Sequence, residues 1–159
     1  MLTSAVIDVQ GLFSDENEFF FKEVTILSLD ESVEQTFLFE PPMNEFQCFK
    51  QNSWLTNFHH GLKWEDGDIP YYRIPKIFHE ISAQFDIFYV KGFQKKLWLL
   101  KYISKNIFNV EDEGCPSLKK IVGTKTCLKK HGNCTRANAY KILGWIHLTQ
   151  PDCANTLPF

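Results

Sequence analysis

Ser4-Ala5-Val6-Ile7-Asp8-Val9-Gln10-Gly11 is an apolar stretch with an acid in its middle. Val6, Asp8 and Gln10 alternate with Ile7 and Val9, the period of two that sends successive side chains to opposite faces of a sheet. Phe19 to Leu29 and Ser32 to Phe39, rich in Phe, Val, Ile and Thr, read as two further strands. The turns between them, around Ser14-Asp15-Glu16-Asn17 and Asp30-Glu31, are short enough for an antiparallel meander. Glu40-Pro41-Pro42-Met43-Asn44 ends the third strand, and an irregular or partly helical stretch leads to His59-His60-Gly61. Beyond it the pattern predicts a helix from Tyr71 to Gln84 with Ile74, Ile77, Phe78 and Ile81 on one face, then a buried strand from Phe85 to Val90. A helix from Phe93 to Asn106, a strand from Ile107 to Val110 and a helix from Thr135 to Leu148 follow, the last with Ala139, Ile142, Leu143 and Ile146 on one face. The order β-β-β-α-β-α-β-α predicts an α/β fold. Its sheet is mixed and five-stranded, three antiparallel strands then two parallel, flanked by helices. We expect one domain over residues 1–150 and a C-terminal tail over 151–159, with no repeat and no linker.

Composition sets the broad class. With 44% hydrophobic and 15% aromatic residues the chain of 159 is neither disordered nor fibrous, and it is long enough to bury a core without disulfides. Its apolar runs are too broken by Lys and Asp to span a bilayer, so no membrane partner is expected. Met1-Leu2-Thr3-Ser4-Ala5-Val6 lacks a basic region and a cleavage site, which argues against a signal peptide. Five cysteines without a secretion signal suggest reduced thiols or a metal, in cytoplasm or nucleus.

Net charge is only −2, but it is unevenly placed. Residues 1–90 hold 5 basic residues against 15 acids, and residues 91–159 hold 12 against 4. A basic half suits phosphate-backbone binding, because each neutralised phosphate releases counterions. Lys95, Lys96, Lys129, Lys130 and Arg136 are the candidates for such a patch. The competing expectation is that these cations pair with the acidic half inside the same fold.

Cys127-Leu128-Lys129-Lys130-His131-Gly132-Asn133-Cys134 runs straight into the last predicted helix. Cys127, His131 and Cys134 are close enough in sequence to converge on one Zn²⁺, whose tetrahedral site needs a fourth ligand. Cys115, in Gly114-Cys115-Pro116, is the nearest candidate; His60, Cys48 and Glu45 are the others. Buried thiols beside a solvated histidine are the alternative, since cysteine is often found inside.

The element order, with its acid in the first strand, resembles the ribonuclease H-like fold of the DEDD-type 3′–5′ exonucleases. There the first strand carries Asp-x-Glu, and the carboxylates hold two metal ions that activate water. Asp8-Val9-Gln10 keeps the geometry and loses one charge. Lys91-Gly92-Phe93-Gln94-Lys95-Lys96 follows the fourth strand, which puts Lys96 where the resemblance implies a metal-binding acid. Asn133-Cys134-Thr135-Arg136-Ala137-Asn138-Ala139 opens the last helix, with Asn133 in place of a general base and Asn138 in place of an acid. One acid of four remains, too few for two hard cations. Asp8, Gln10, Lys96 and Asn138 therefore read as a vestigial catalytic set. The chain is also similar to the Maelstrom domain, a fold of this type with most acids missing and a Glu-Cys-His-Cys zinc centre before the last helix. Cys127, His131 and Cys134 match that cluster in order. This similarity implies single-stranded RNA binding, with metal-independent RNA cleavage as a further implication. The opening Asp-Val-Gln-Gly, Trp54-Leu55 with His60-Gly61, and Gly114 to Leu118 also resemble short arthropod proteins to which no activity attaches.

Three function classes follow. The first is a zinc-containing protein that binds nucleic acid, single-stranded RNA above all, on an exonuclease-like fold without two-metal catalysis. The second is a nuclease with a non-standard site around His59, His60 and Asp66, although these residues equally suit a helix cap and a surface turn. The third is a protein-interaction adaptor of an RNA-silencing type, with the basic half on an acidic partner. Trp54, Trp64, Trp98 and Trp145 offer stacking surfaces for bases wherever they are not core.

Overall fold

The computed structural model describes residues 3–14, 16–42, 52, 54–121 and 134–149. Five strands form one sheet in the order β3-β2-β1-β4-β5. They are β1 (Ser4–Phe13), β2 (Phe19–Ser28), β3 (Glu34–Leu38), β4 (Ile87–Val90) and β5 (Asn106–Asn109). β1, β2 and β3 pair antiparallel, whereas β4 joins β1, and β5 joins β4, in parallel. The predicted mixed sheet is therefore the observed one.

Between β3 and β4 lie a π-helical turn (Leu55–His59), a 3₁₀ turn (Tyr71–Arg73) and helix α1 (Ile74–Gln84). Helix α2 (Phe93–Leu99) links β4 to β5, and helix α3 (Thr135–Thr149) packs across β1 and β2. α2 is shorter than the predicted helix to Asn106. After Leu99 the amides of Tyr102 and Ile103 both return to the Leu99 carbonyl, and Ile103 is buried in the core. That turn reverses the chain so that β5 can lie beside β4. The tail 151–159 lies outside the described residues.

Alternation along β1 sorts the core into two layers. Ala5, Ile7 and Val9 face α1 and meet Ile74, Phe78 and Ile81. Val6, on the other face, meets Ala139, Ile142, Leu143 and Ile146 of α3. Asp8 and Gln10 share that second face by the same period of two, so an acid is carried under a helix.

A β-bulge on β2 changes which residues meet each layer. Gln10 pairs with Glu23 and Gly11 with Phe21, so Lys22 is the extra residue. The bulge shifts the phase of β2, letting Phe19 and Phe21 join Val24 and Ile26 on the α1 side while Glu23 stays beneath α3. Gly11 is required opposite it, because a Cβ there would sit 2.0 Å from the Phe20 carbonyl oxygen.

Lys22 is fully buried. Its Nζ donates to the carbonyls of Phe39 (2.8 Å), Trp64 (2.7 Å) and Asp66, so the three protons of the ammonium meet three main-chain oxygens. Burial pulls its pKa down to about 8, against the attraction of Asp66, Glu65 and Glu40. The side chain fastens the end of β3 and the 64–66 loop to the sheet. Replacing it, as in Lys22→Met, leaves three covered carbonyls without a donor. We expect a loss of about 3–5 kcal/mol in denaturant unfolding, with no change in the secondary structure that remains.

Candidate functional site

The site begins at Asp8, whose side chain is 1% exposed at the centre of the sheet. Lys95 Nζ donates to Asp8 Oδ1 at 2.7 Å, and Asn138 Nδ2 donates to Oδ2 at 3.1 Å. Each carboxylate oxygen thus meets a donor from a different helix. The ammonium reaches it because Gly92, at φ 121°, turns the chain sharply from β4 into α2, a conformation that L side chains rarely adopt. Asn109 Oδ1 holds the same turn by accepting from Gly92 N at 2.9 Å.

The lysine beside Asp8 is the neighbour of the one placed at the family's acid position from sequence. Lys95, not Lys96, stands against Asp8. Successive helical positions differ by about 100°, so a one-residue offset decides which lysine enters the cleft. Lys96 instead lines a cavity of about 260 Å³ with Tyr89, Phe108, Asp112 and Glu113.

A second polar cluster continues the layer toward β3. Glu23 Oε1 accepts from Thr135 N (2.9 Å) and from Thr135 Oγ1 (2.6 Å). A carboxylate at the start of α3 meets the positive end of its dipole, and the first turn there has amides in need of acceptors. Cys134 Sγ accepts from Ala137 N at 3.5 Å, as an N-cap side chain does. Thr25 Oγ1 bridges Thr36 and Thr135, at 2.8 Å to each. Arg136 Nε donates to Glu34 Oε2 at 3.0 Å, and the Tyr140 hydroxyl donates to the other Glu34 oxygen. Burial, and then Glu34, push the Tyr140 pKa up to about 12.

The segment after β3 closes the same edge. His60 is buried; its Nδ1 accepts from Leu62 N (3.0 Å), so Nε2 carries the proton and donates to Gly11 O (2.8 Å). Both ring nitrogens are thereby used, which removes His60 from the candidates for a fourth zinc ligand. His59 is half-buried, and its pKa is pulled down by burial and then by Lys95, with Asp8 opposing. Asp66 Oδ2 accepts from Lys63 N at 2.8 Å, closing its own turn.

Of the predicted zinc ligands, Cys127 and His131 lie outside the described residues, as do the alternatives Cys48 and Glu45. Cys115 lies in the apolar cluster with Val110 and Leu143, and burial pushes its thiol pKa up. Cys134 stands immediately before the first turn of α3. Among the described residues no three His, Cys, Asp or Glu side chains come together in a way that would hold a metal ion. Of the predicted phosphate contacts, Lys95 and Arg136 are paired with acids, and Lys129 and Lys130 lie outside the described residues. Asn133 also lies outside them.

Glu23, Glu34 and Lys22 are the residues that sequence reasoning missed, as was the pairing of Lys95 with Asp8. One signal was present: Lys22-Glu23 is a charged pair inside the apolar run Phe19–Leu29, and buried charges require partners.

No protein-family model matches the chain, and no curated protein matches it. Among solved structures, the chain is similar to a moderately thermophilic exonuclease I from Methylocaldum szegediense, at a TM-score of 0.54 and 10% identity. The match covers 98% of this chain and 42% of that one, so the chain spans less than half the length of the exonuclease. The fold is thus exonuclease-like. Among the described residues no helix is long and apolar enough to cross a membrane.

The Asp8–Lys95 pair gives a direct test. Lys95→Met leaves a carboxylate buried beside one amide, and should destabilise the protein by about 3 kcal/mol. Adding Asp8→Asn to that variant should recover most of the loss, which a double-mutant cycle in denaturant measures.

Proposed function

We propose that the chain is a single-stranded nucleic-acid-binding protein, with RNA as its strand, on an exonuclease-like fold that has given up two-metal catalysis. The observation that carries this reading is the 2.7 Å contact between Lys95 Nζ and Asp8 Oδ1. Two divalent ions need several carboxylate oxygens, and an ammonium at the one central acid opposes their binding by charge. Glu23 and Glu34 are turned to other work, the first on the start of α3 and the second on Arg136 and Tyr140. The fold family's two-metal centre does not fit these side chains. With Asp8 balanced by Lys95, the cleft no longer repels a phosphate as an open carboxylate would. Lys96, Lys129 and Lys130 add phosphate contacts in this reading, alongside the outer faces of Lys95 and Arg136.

A structural Zn²⁺ belongs to the same proposal, held by Cys127, His131 and Cys134 with Cys115 as the fourth ligand. Its support is the ligand spacing, together with the place of Cys134 at the head of α3. The burial that raises the Cys115 thiol pKa favours the neutral form over the thiolate that zinc needs, so Cys115 carries the least weight of the four. The adaptor reading has one observation of its own: α2 exposes Phe93, Leu97 and Leu100 on one face, with Lys96 and Lys101 beside them and no acid in the helix. That face suits an acidic amphipathic helix.

Elemental analysis of protein purified without added metal should give one zinc per chain, and Cys127→Ser should lower both the zinc content and the melting temperature. Fluorescence anisotropy with a short single-stranded RNA should give an affinity that falls steeply with salt. Lys129→Ala/Lys130→Ala and Lys96→Ala should each flatten the salt slope, by about 0.7 for every lysine that touches a phosphate. Absence of binding at low salt would reject the RNA reading and leave the adaptor in its place.

A further inference from the structure

The four tryptophans have unlike surroundings. Trp64 is 2% exposed against Leu12 and Phe20. Trp98 stacks on Phe19 with ring centroids 3.7 Å apart and planes 4° apart, and Trp145 packs against the apolar cluster beneath α3. Trp54 alone among them is well exposed, at 56%. It stands immediately before the π-helical turn Leu55–His59, and its ring lies over His59 at 6.1 Å and 16°. Single π-helical turns occur often at functional sites.

This short segment is fastened to β1 on both sides. Asn52 Oδ1 accepts from Phe13 N at 2.9 Å while its Nδ2 donates to Phe13 O at 2.8 Å, so Asn52 reads the strand end as a second backbone would. His60 donates to Gly11 O at 2.8 Å. Trp54 lies between these two anchors in sequence, and both anchors hold to β1, the strand that also carries Asp8. An indole on a segment tied down at both ends loses less entropy on stacking than one on a free loop, and stacking on an aromatic face is how single-strand binders hold bases without reading their sequence. His60, next to His59, bonds Gly11, three residues along β1 from Asp8, which places the platform toward the cleft.

We propose that Trp54, backed by His59, is a stacking platform for one unpaired nucleobase at the edge of the Asp8–Lys95 cleft. The proposal rests on the nucleic-acid reading above and assigns its base subsite. The flanking phosphate then lies toward Lys95, which keeps 21% of its side chain exposed. Uracil, cytosine, adenine and guanine all have a π-face, so the subsite tolerates any base.

The experiment uses the full chain with two fluorescein-labelled probes, a short oligouridylate and an abasic ribose-phosphate strand of equal length. Trp54→Ala should weaken oligouridylate binding roughly 5- to 150-fold, and Trp54→Phe should retain most of it. Binding of the abasic strand should be weak and equal in wild type and Trp54→Ala. Oligouridylate should also quench the intrinsic fluorescence of wild type and not that of Trp54→Phe, a readout that stands even if the alanine variant fails to fold. Equal oligouridylate affinity in wild type and a folded Trp54→Ala, or quenching that persists in Trp54→Phe, would overturn the platform and leave nucleic-acid binding intact. Failure of wild type to bind either probe would overturn the nucleic-acid reading itself, and the subsite with it.

Discussion

A carboxylate at 1% exposure in the middle of a five-stranded sheet is the constraint on which the architecture turns. An unpaired buried charge is very costly, so Asp8 must find donors from whatever packs above it. It finds one on each of two helices, Lys95 on α2 and Asn138 on α3. The consequences spread outward. Gly92 must turn tightly for α2 to start where it does, and the first turn of α3 must sit over β1 and β2. With its first turn there, α3 presents its amides to Glu23, and the bulge at Lys22 keeps Glu23 on that face.

The uneven charge along the sequence has the same explanation in part. Lys95 with Asp8, and Arg136 with Glu34, each join a cation from the basic half to an acid from the acidic half. Lys91 with Glu111 is a pair within the basic half. For these residues the asymmetry records pairing across the fold. The Asp8–Lys95 and Arg136–Glu34 pairs leave little of either cation exposed. A phosphate-binding surface must therefore draw on other lysines and on the partly open side of Lys95.

Much of this fold was legible because the strands and α3 are strongly periodic. Val6, Asp8 and Gln10 share a face in the sequence pattern and in the sheet, and Ile74, Phe78 and Ile81 turn to the core as their spacing requires. What the sequence concealed has physical causes. A helix of only seven residues leaves its rotation undetermined, so Lys95 and Lys96 could not be told apart by pattern. The end of α2 is set by tertiary burial of Ile103, which local propensity does not contain. Lys22 meets three carbonyls from segments far along the chain, and although a lysine inside an apolar run signals burial, nothing local names those partners. The tautomer of His60 likewise depends on Gly11, distant in sequence.

The exonuclease-like fold and the chemistry of its cleft thus point in different directions. The fold provides a central acid beneath two helices; the side chains around it supply an ammonium and an amide where a cation would need further carboxylates. Our central claim is that the Lys95 ammonium, and not a divalent cation, is the charge partner of Asp8. Manganese binding followed by electron paramagnetic resonance tests it most directly, because bound Mn²⁺ loses the sharp signal of the hydrated ion. The account predicts that wild type and Asp8→Ala leave the Mn²⁺ signal equally unchanged. Stoichiometric loss of signal with wild type, abolished by Asp8→Ala, would contradict it.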